Sequence, residues 1–128
     1  MTEQALKYIN DRLTEAGINY HFARYQYGGD APEYPYAVGT YNEAEATTED
    51  GLQETTLTLD CWTRGSWMDL ERVKAQVKAT FPPTGDTTVL STGSGVAVSY
   101  ARTLTIPTGE AELKRIEITL NIKEWSVN

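Results

Sequence analysis

The sequence predicts an α+β domain, a mostly antiparallel or mixed sheet with two helices packed on it, and three observations carry that prediction. First, Gln53 to Phe81 reads as an alternating strand, QETTLTLDCWTRG, followed by an amphipathic helix, SWMDLERVKAQVKATF. Second, the last third holds two long alternating runs joined by a short turn. Third, the order helix, strand, strand, strand, helix, strand, strand is that of an antiparallel or mixed sheet with helices against one face. Residues 1–128 read as one domain with no internal repeat and no linker. A chain of this length can bury about two thirds of its unfolded surface.

Thr2 to Ala16 is the first helix. Leu6, Ile9, Leu13 and Ala16 form its apolar stripe, and Gly17 stands where a left-handed cap belongs. Ile18 to Tyr27 then alternates Ile18, Tyr20 and Phe22 with His21, Ala23, Tyr25 and Tyr27, so this strand is expected to be covered on both faces. GGDAPEYP turns the chain, and Tyr36 to Tyr41 resumes an extended run. Asn42 to Glu54 carries five acids in thirteen residues and one large aliphatic, which predicts an exposed hairpin loop. In the strand that follows, Leu57, Leu59 and Cys61 share one face and Thr56, Thr58 and Asp60 the other.

Ser66 is placed to cap the second helix, with Asp69 three residues on. Trp67, Leu70, Val73, Val77 and Phe81 form its apolar stripe, and Pro82-Pro83 ends it. Thr84 to Gly95 is expected to be mostly loop, with a short strand at Val89-Leu90. Val96, Val98, Tyr100, Leu104 and Ile106 then define one long strand and Ile116, Ile118, Leu120 and Ile122 another. The turn between them starts at Pro107-Thr108-Gly109-Glu110.

Composition bounds the function. A net charge of −7 argues against a duplex nucleic-acid binder, whose affinity comes from neutralising phosphates, but suits a wall past which nucleic acid slides. No run is long enough for a membrane span, and MTEQALKYIND has no signal-peptide pattern, so a cytoplasmic protein is expected. The single cysteine, Cys61, lies on an apolar strand face and reads as a small core residue, because no second cysteine offers a redox partner. His21 is the only histidine, so any histidine-based metal site or catalytic pair would run through it; a packed or surface imidazole is the simpler expectation. Gly93-Ser94-Gly95 and Thr84-Gly85-Asp86 lack the spacing of a phosphate-binding loop. No cofactor or metal site is expected.

Two features exceed what a bare scaffold needs. Glu43, Glu45, Glu49, Asp50 and Glu54 concentrate charge in one loop, without the ligand spacing of a calcium site, and read as an electrostatic surface. Tyr20, Tyr25, Tyr27, Tyr34, Tyr36 and Tyr41 fall within 22 residues. Tyrosine buries a large ring and keeps a hydroxyl for a polar partner, as protein interfaces favour.

In element order the chain resembles the tail terminator (minor tail, or tail completion) proteins of long-tailed bacteriophages and prophages. The resemblance rests on Pro35-Tyr36-Ala37-Val38 after the first strand and turn, and on the strand Leu57 to Trp62 (LTLDCW). It rests also on Asp69-Leu70-Glu71 opening a helix that runs from Met68 to Thr80, and on the final long hairpin, whose turn at Pro107 is shorter than the extended arm of some relatives. It implies a non-enzymatic assembly protein in the host cytoplasm and then in the tail and neck of the virion. Its partners would be copies of itself in a hexameric ring, the tail tube protein and the head-tail connector, with DNA passing the lumen unbound and no membrane involved. On that reading Glu43, Glu45, Glu49, Asp50 and Glu54 line the lumen or meet the next ring, and Tyr25, Tyr27 and Tyr34 belong to subunit contacts. The alternatives are a head-completion or neck adaptor and, further off, a monomeric enzyme or ligand-binding domain with a pocket near Tyr20, Tyr25 and His21.

Overall fold

A computed structural model describes residues 1–24, 33–43 and 52–125. The elements are α1 (Glu3–Glu15), β1 (Tyr20–Phe22), β2 (Tyr36–Glu43), β3 (Leu52–Thr63), α2 (Trp67–Thr80), β4 (Asp86–Val89), β5 (Gly95–Ile106) and β6 (Lys114–Trp125). Six strands form one sheet in the order β1-β2-β3-β6-β5-β4. Only β1 and β2 run parallel; every other pair is antiparallel. The expected mixed α+β sheet with two helices is what the chain forms.

The alternation read from the sequence sets the covered face. Leu57, Leu59 and Cys61 of β3 stand beside Leu120, Ile118 and Ile116 of β6, and all six are buried. Ala5, Ile9 and Leu13 of α1 join the same core, as do Leu70, Val73 and Val77 of α2 with Phe81 behind it. Each large aliphatic or aromatic side chain buried there contributes about 1.5–3 kcal/mol relative to leaving it in water. Both helices therefore lie on one face. The opposite face presents Thr56, Thr58, Asp60 and Trp62 of β3 beside Asn121, Thr119, Glu117 and Arg115 of β6. No described helix covers it.

Several boundaries differ from expectation. The first strand is three residues long and lies at the sheet margin instead of being covered on both faces. After a last ladder bond from Ala23 N to Gly39 O at 2.8 Å it stops, because Ala23 turns to φ +69° and Arg24 N bonds back to Phe22 O at 2.8 Å. Asn42 and Glu43 belong to β2, and Leu52, Gln53 and Glu54 to β3, so the ends of the expected acidic loop are strand. The expected loop before β5 holds the strand β4, and its Gly-rich part is the hairpin turn, where Leu90 N bonds Ser94 O at 2.8 Å. Trp67, expected in the buried stripe of α2, is 45% exposed, because the stripe meets the sheet only from Leu70 onward. Ser66 occupies the cap position but its side chain makes no cap bond. Thr63 takes over the turn: its hydroxyl accepts from Gly65 N at 3.1 Å and donates to Asp69 Oδ2 at 3.2 Å. Gly17 does adopt the expected left-handed conformation, φ +87°.

Candidate functional site

The reactive side chains are tied into structure. The Cys61 thiol is fully buried and pushed up to about 12, first by burial and then by the neighbouring Asp60 carboxylate, so at neutral pH it stays protonated. The His21 ring is 2.8 Å from Asn19 Oδ1. Tyr20 is 7% exposed, its hydroxyl has no bonding partner among the described residues, and burial raises its pKa to about 12. Its ring lies over Gly39, where an added Cβ would come within 2.4 Å of the hydroxyl. Among the described residues no group of three or more His, Cys, Asp or Glu is placed to hold a metal ion, and no helix is long and apolar enough to cross a membrane.

Open clefts lie elsewhere. One of about 380 Å³ sits between Trp67 and the β5–β6 turn, walled by Thr105, Ile106, Pro107, Leu113 and Lys114 among others. One of about 280 Å³ lies along α1 beside Phe22, and one of about 180 Å³ between α1 and the β4–β5 turn. None of the three is lined by Tyr20 or His21, the residues around which a ligand pocket was an alternative expectation.

The residues expected at an interface or lumen separate into two groups. Tyr25, Tyr27, Glu45, Glu49 and Asp50 lie outside the described residues. Glu43 ends β2, exposed, with its carboxylate against the amino group of Met1. Glu54 is exposed on β3, in register with Lys123 of β6. Tyr34 is 36% exposed, its ring 5.4 Å from that of Tyr36 and its hydroxyl bonded by the Arg64 guanidinium. Glu43 and Glu54 are brought to the same end of the sheet, since Glu43 pairs with Thr55. Tyr34 sits at the other end, before the start of β2.

Sequence reasoning missed the more exposed surface. Trp67 and Met68 at the start of α2 and Leu104 on β5 stand 45%, 60% and 45% exposed. On the open face Arg115 holds Asp60 through Nη2 at 2.6 Å and Nε at 3.1 Å, and its guanidinium lies 4.7 Å from the centre of the Trp62 ring. The sheet face without a helix is polar at its centre, and the exposed apolar side chains Trp67 and Met68 belong to α2, which packs on the other face. No local signal marks the Leu104 surface; it follows from β4 being 4 residues long and β5 12, so that β4 cannot pair β5 throughout.

The described chain is thus an α+β domain offering surfaces and sheet margins. No protein-family model matches the sequence, and no curated protein matches it. Solved structures do. A chain from the virion of a native gene transfer agent particle aligns with TM-score 0.63 over 89% of this chain and 84% of that one, at 13% identity. A second solved protein aligns with TM-score 0.65 over 100% of this chain and 99% of that one, at 14% identity. At these identities the likeness establishes a shared fold.

Proposed function

We propose that this chain is a structural protein of a phage-type virion and acts as a tail terminator: copies form a hexameric ring that caps the tail tube, ends its polymerisation and joins the tail to the head connector. The observation that carries this reading is the likeness, over most of both chains, to a chain of a gene transfer agent virion. The element order that resembles the tail terminators supports it independently. The chain then works by binding alone. A ring needs two different surfaces on each subunit that fit each other head to tail, and a sheet with unlike margins has them. In a chain of net charge −7, the acidic run from Glu43 to Glu54, whose ends lie at one end of the sheet, would give a wall that repels phosphates, so that DNA passes without sticking; Glu43 itself is paired with the amino group of Met1.

The test is polymerisation of tail tube protein with and without the purified chain. Capped tubes of limited length are expected, and tubes that grow unchanged overturn the reading. Binding to isolated head connectors with no effect on tubes would assign the protein to the neck instead. Replacing Glu43, Glu45, Glu49, Asp50 and Glu54 by lysine is expected to slow DNA passage or block docking, and normal infectivity of that variant would remove their role.

A further inference from the structure

We infer that the outer edge of β5, from Arg102 to Ile106, is a docking site for a strand of a second copy of this chain, and that the strand it receives is β1. The inference rests on the ring reading above and names the contact that would build the ring.

The backbone ledger comes first. β4 pairs only with Gly95 to Val98. Tyr100 N reaches Pro82 O at 3.4 Å, and β5 then continues to Ile106 with β6 on its inner side. Beyond Tyr100 no described strand lies outside β5, and Arg102, Leu104 and Thr105 are exposed, so alternate amides and carbonyls of this edge have no partner among the described residues, which is the template that pairs with another chain. The segment is bounded by a register shift between Tyr100 and Arg102 and by Pro107. Within it, Thr103, Thr105 and Ile106 favour extended structure and Arg102 is the one charge.

The register identifies the partner. Across the sheet, Thr103 is in line with Ile118, Leu59, Gly39 and Phe22; Leu104 with Glu117, Asp60, Val38 and His21; and Thr105 with Ile116, Cys61, Ala37 and Tyr20. The bare part of one margin is therefore at the same height as the whole of the other margin strand. β1 runs antiparallel to β5, since β1 is parallel to β2 and three antiparallel steps separate β2 from β5. A neighbouring copy turned about an axis along the strands can thus set its β1 against β5 as an antiparallel addition without sliding along the strand direction. Such a head-to-tail contact can close.

Two further observations agree. Thr105 and Ile106 also wall the 380 Å³ cleft with Trp67, which offers an apolar seat next to the edge. Lys78 Nζ stands 5.2 Å from the centre of the Tyr100 ring and Arg102 opens the segment, two cations at this margin in an otherwise acidic chain, while Lys74 is already paired with Glu71 at 2.7 Å. The β1 margin is bordered by Glu3 and Glu33; there Lys7 is already paired with Asp11 at 2.6 Å, and Arg24 follows the strand.

The test uses the full chain, with mass by light scattering and amide exchange followed across concentration. As the mass rises, the outward-facing amides within 102–106 and 20–22 are expected to become protected together, at least tenfold in exchange rate. Leu104→Lys, at a site 45% exposed, is expected to abolish both changes while leaving the urea unfolding of the monomer unchanged. In the double variant His21→Cys, Leu104→Cys, oxidation is expected to give a ladder of covalent multimers, whereas each single variant stops at dimers. Assembly with 102–106 exchanging as in the monomer, or with no ladder, overturns this contact and leaves the ring reading standing. A chain that stays monomeric both alone and on tail tubes overturns both.

Discussion

β3 and β5 are both twelve-residue strands with the same apolar alternation, yet they meet different fates. β3 is paired along its whole length by β6 and over eight residues by β2, and its covered face is sealed by the helices. β5 has that protection only as far as β4 extends; from Ala101 onward it is mostly exposed on both faces. Alternation therefore tells which residues share a face, and the neighbouring strands decide whether that face is a core or a surface. In this molecule the centre supplies stability and the uncovered end of β5 is left for contact.

The largest expected effect breaks the two strands apart directly. Leu59→Ala, at a fully buried site on β3, should cost about 2–5 kcal/mol. Leu104→Ala, at a site 45% exposed, should cost no more than about 0.5 kcal/mol. Urea unfolding of the two variants measures both. Similar losses would mean that β5 is as much a core strand as β3.

The covered side of the sheet should also show itself in alkali. Tyr20 and Cys61 both have pKa values raised to about 12 in the fold, against ordinary values of 10 and 9. When the chain unfolds they ionise more easily, so the unfolded state holds fewer protons. Stability is then full below the ordinary values and falls as pH rises from 9 toward 12. Tyr20→Phe should flatten the fall between pH 10 and 12 by about 2 kcal/mol, while at neutral pH it removes a buried hydroxyl without a partner among the described residues and should not destabilise. An unchanged pH profile would show that Tyr20 is not sealed under the sheet.

A smaller effect concerns what limits the cover on β5. Asp86, at the start of β4, accepts from the Tyr8 hydroxyl and from Arg12 Nη1 at 3.0 Å, and Arg12 Nη2 reaches Thr80 O at 3.3 Å. This cluster ties β4 to α1 and to the end of α2. Because the ion pair is about a third exposed, Asp86→Ala should cost only about 1–2 kcal/mol. Its signature should be faster amide exchange at Gly95 to Val98, where β4 covers β5, with β3 unaffected.

Most of the fold was legible because its centre obeys local rules. The two-residue alternation of Leu57, Leu59 and Cys61 and of Ile116 to Ile122 places the sheet, and the stripe from Leu70 to Phe81 places α2. What escaped depends on contacts between distant segments. Nothing local says that Ala23 will take a positive φ and end β1, or that the run reaching Ile106 will outlast the partner strand beside it. Trp67 fits the helical period, but the hairpin turns away there and leaves it on a cleft. Of the residues singled out for contact, Glu43, Glu54 and Tyr34 do reach the surface. The bare edge of β5 was not foreseen, because an edge is defined by a missing neighbour and leaves no mark in its own sequence.

The smallest effect tests whether α2 is held to β3 and β6 by its stripe or by its start. Thr2 caps α1 with a working bond, its hydroxyl accepting from Ala5 N at 3.2 Å, and the same residue's amide bonds the buried Glu124 at 3.1 Å. Because that hydroxyl also donates to the buried Glu124 carboxylate, Thr2→Ala should cost about 2 kcal/mol. Ser66 holds the equivalent place on α2 without a side-chain bond, while Thr63 and Asp69 secure the turn around it. Ser66→Ala should then change stability by only about 0.3 kcal/mol, within the range of ordinary surface substitutions. Thermal unfolding of the two variants side by side measures the difference. A loss at Ser66 equal to that at Thr2 would mean that the helix over the sheet centre depends on its cap, and that the buried stripe from Leu70 does not hold it alone.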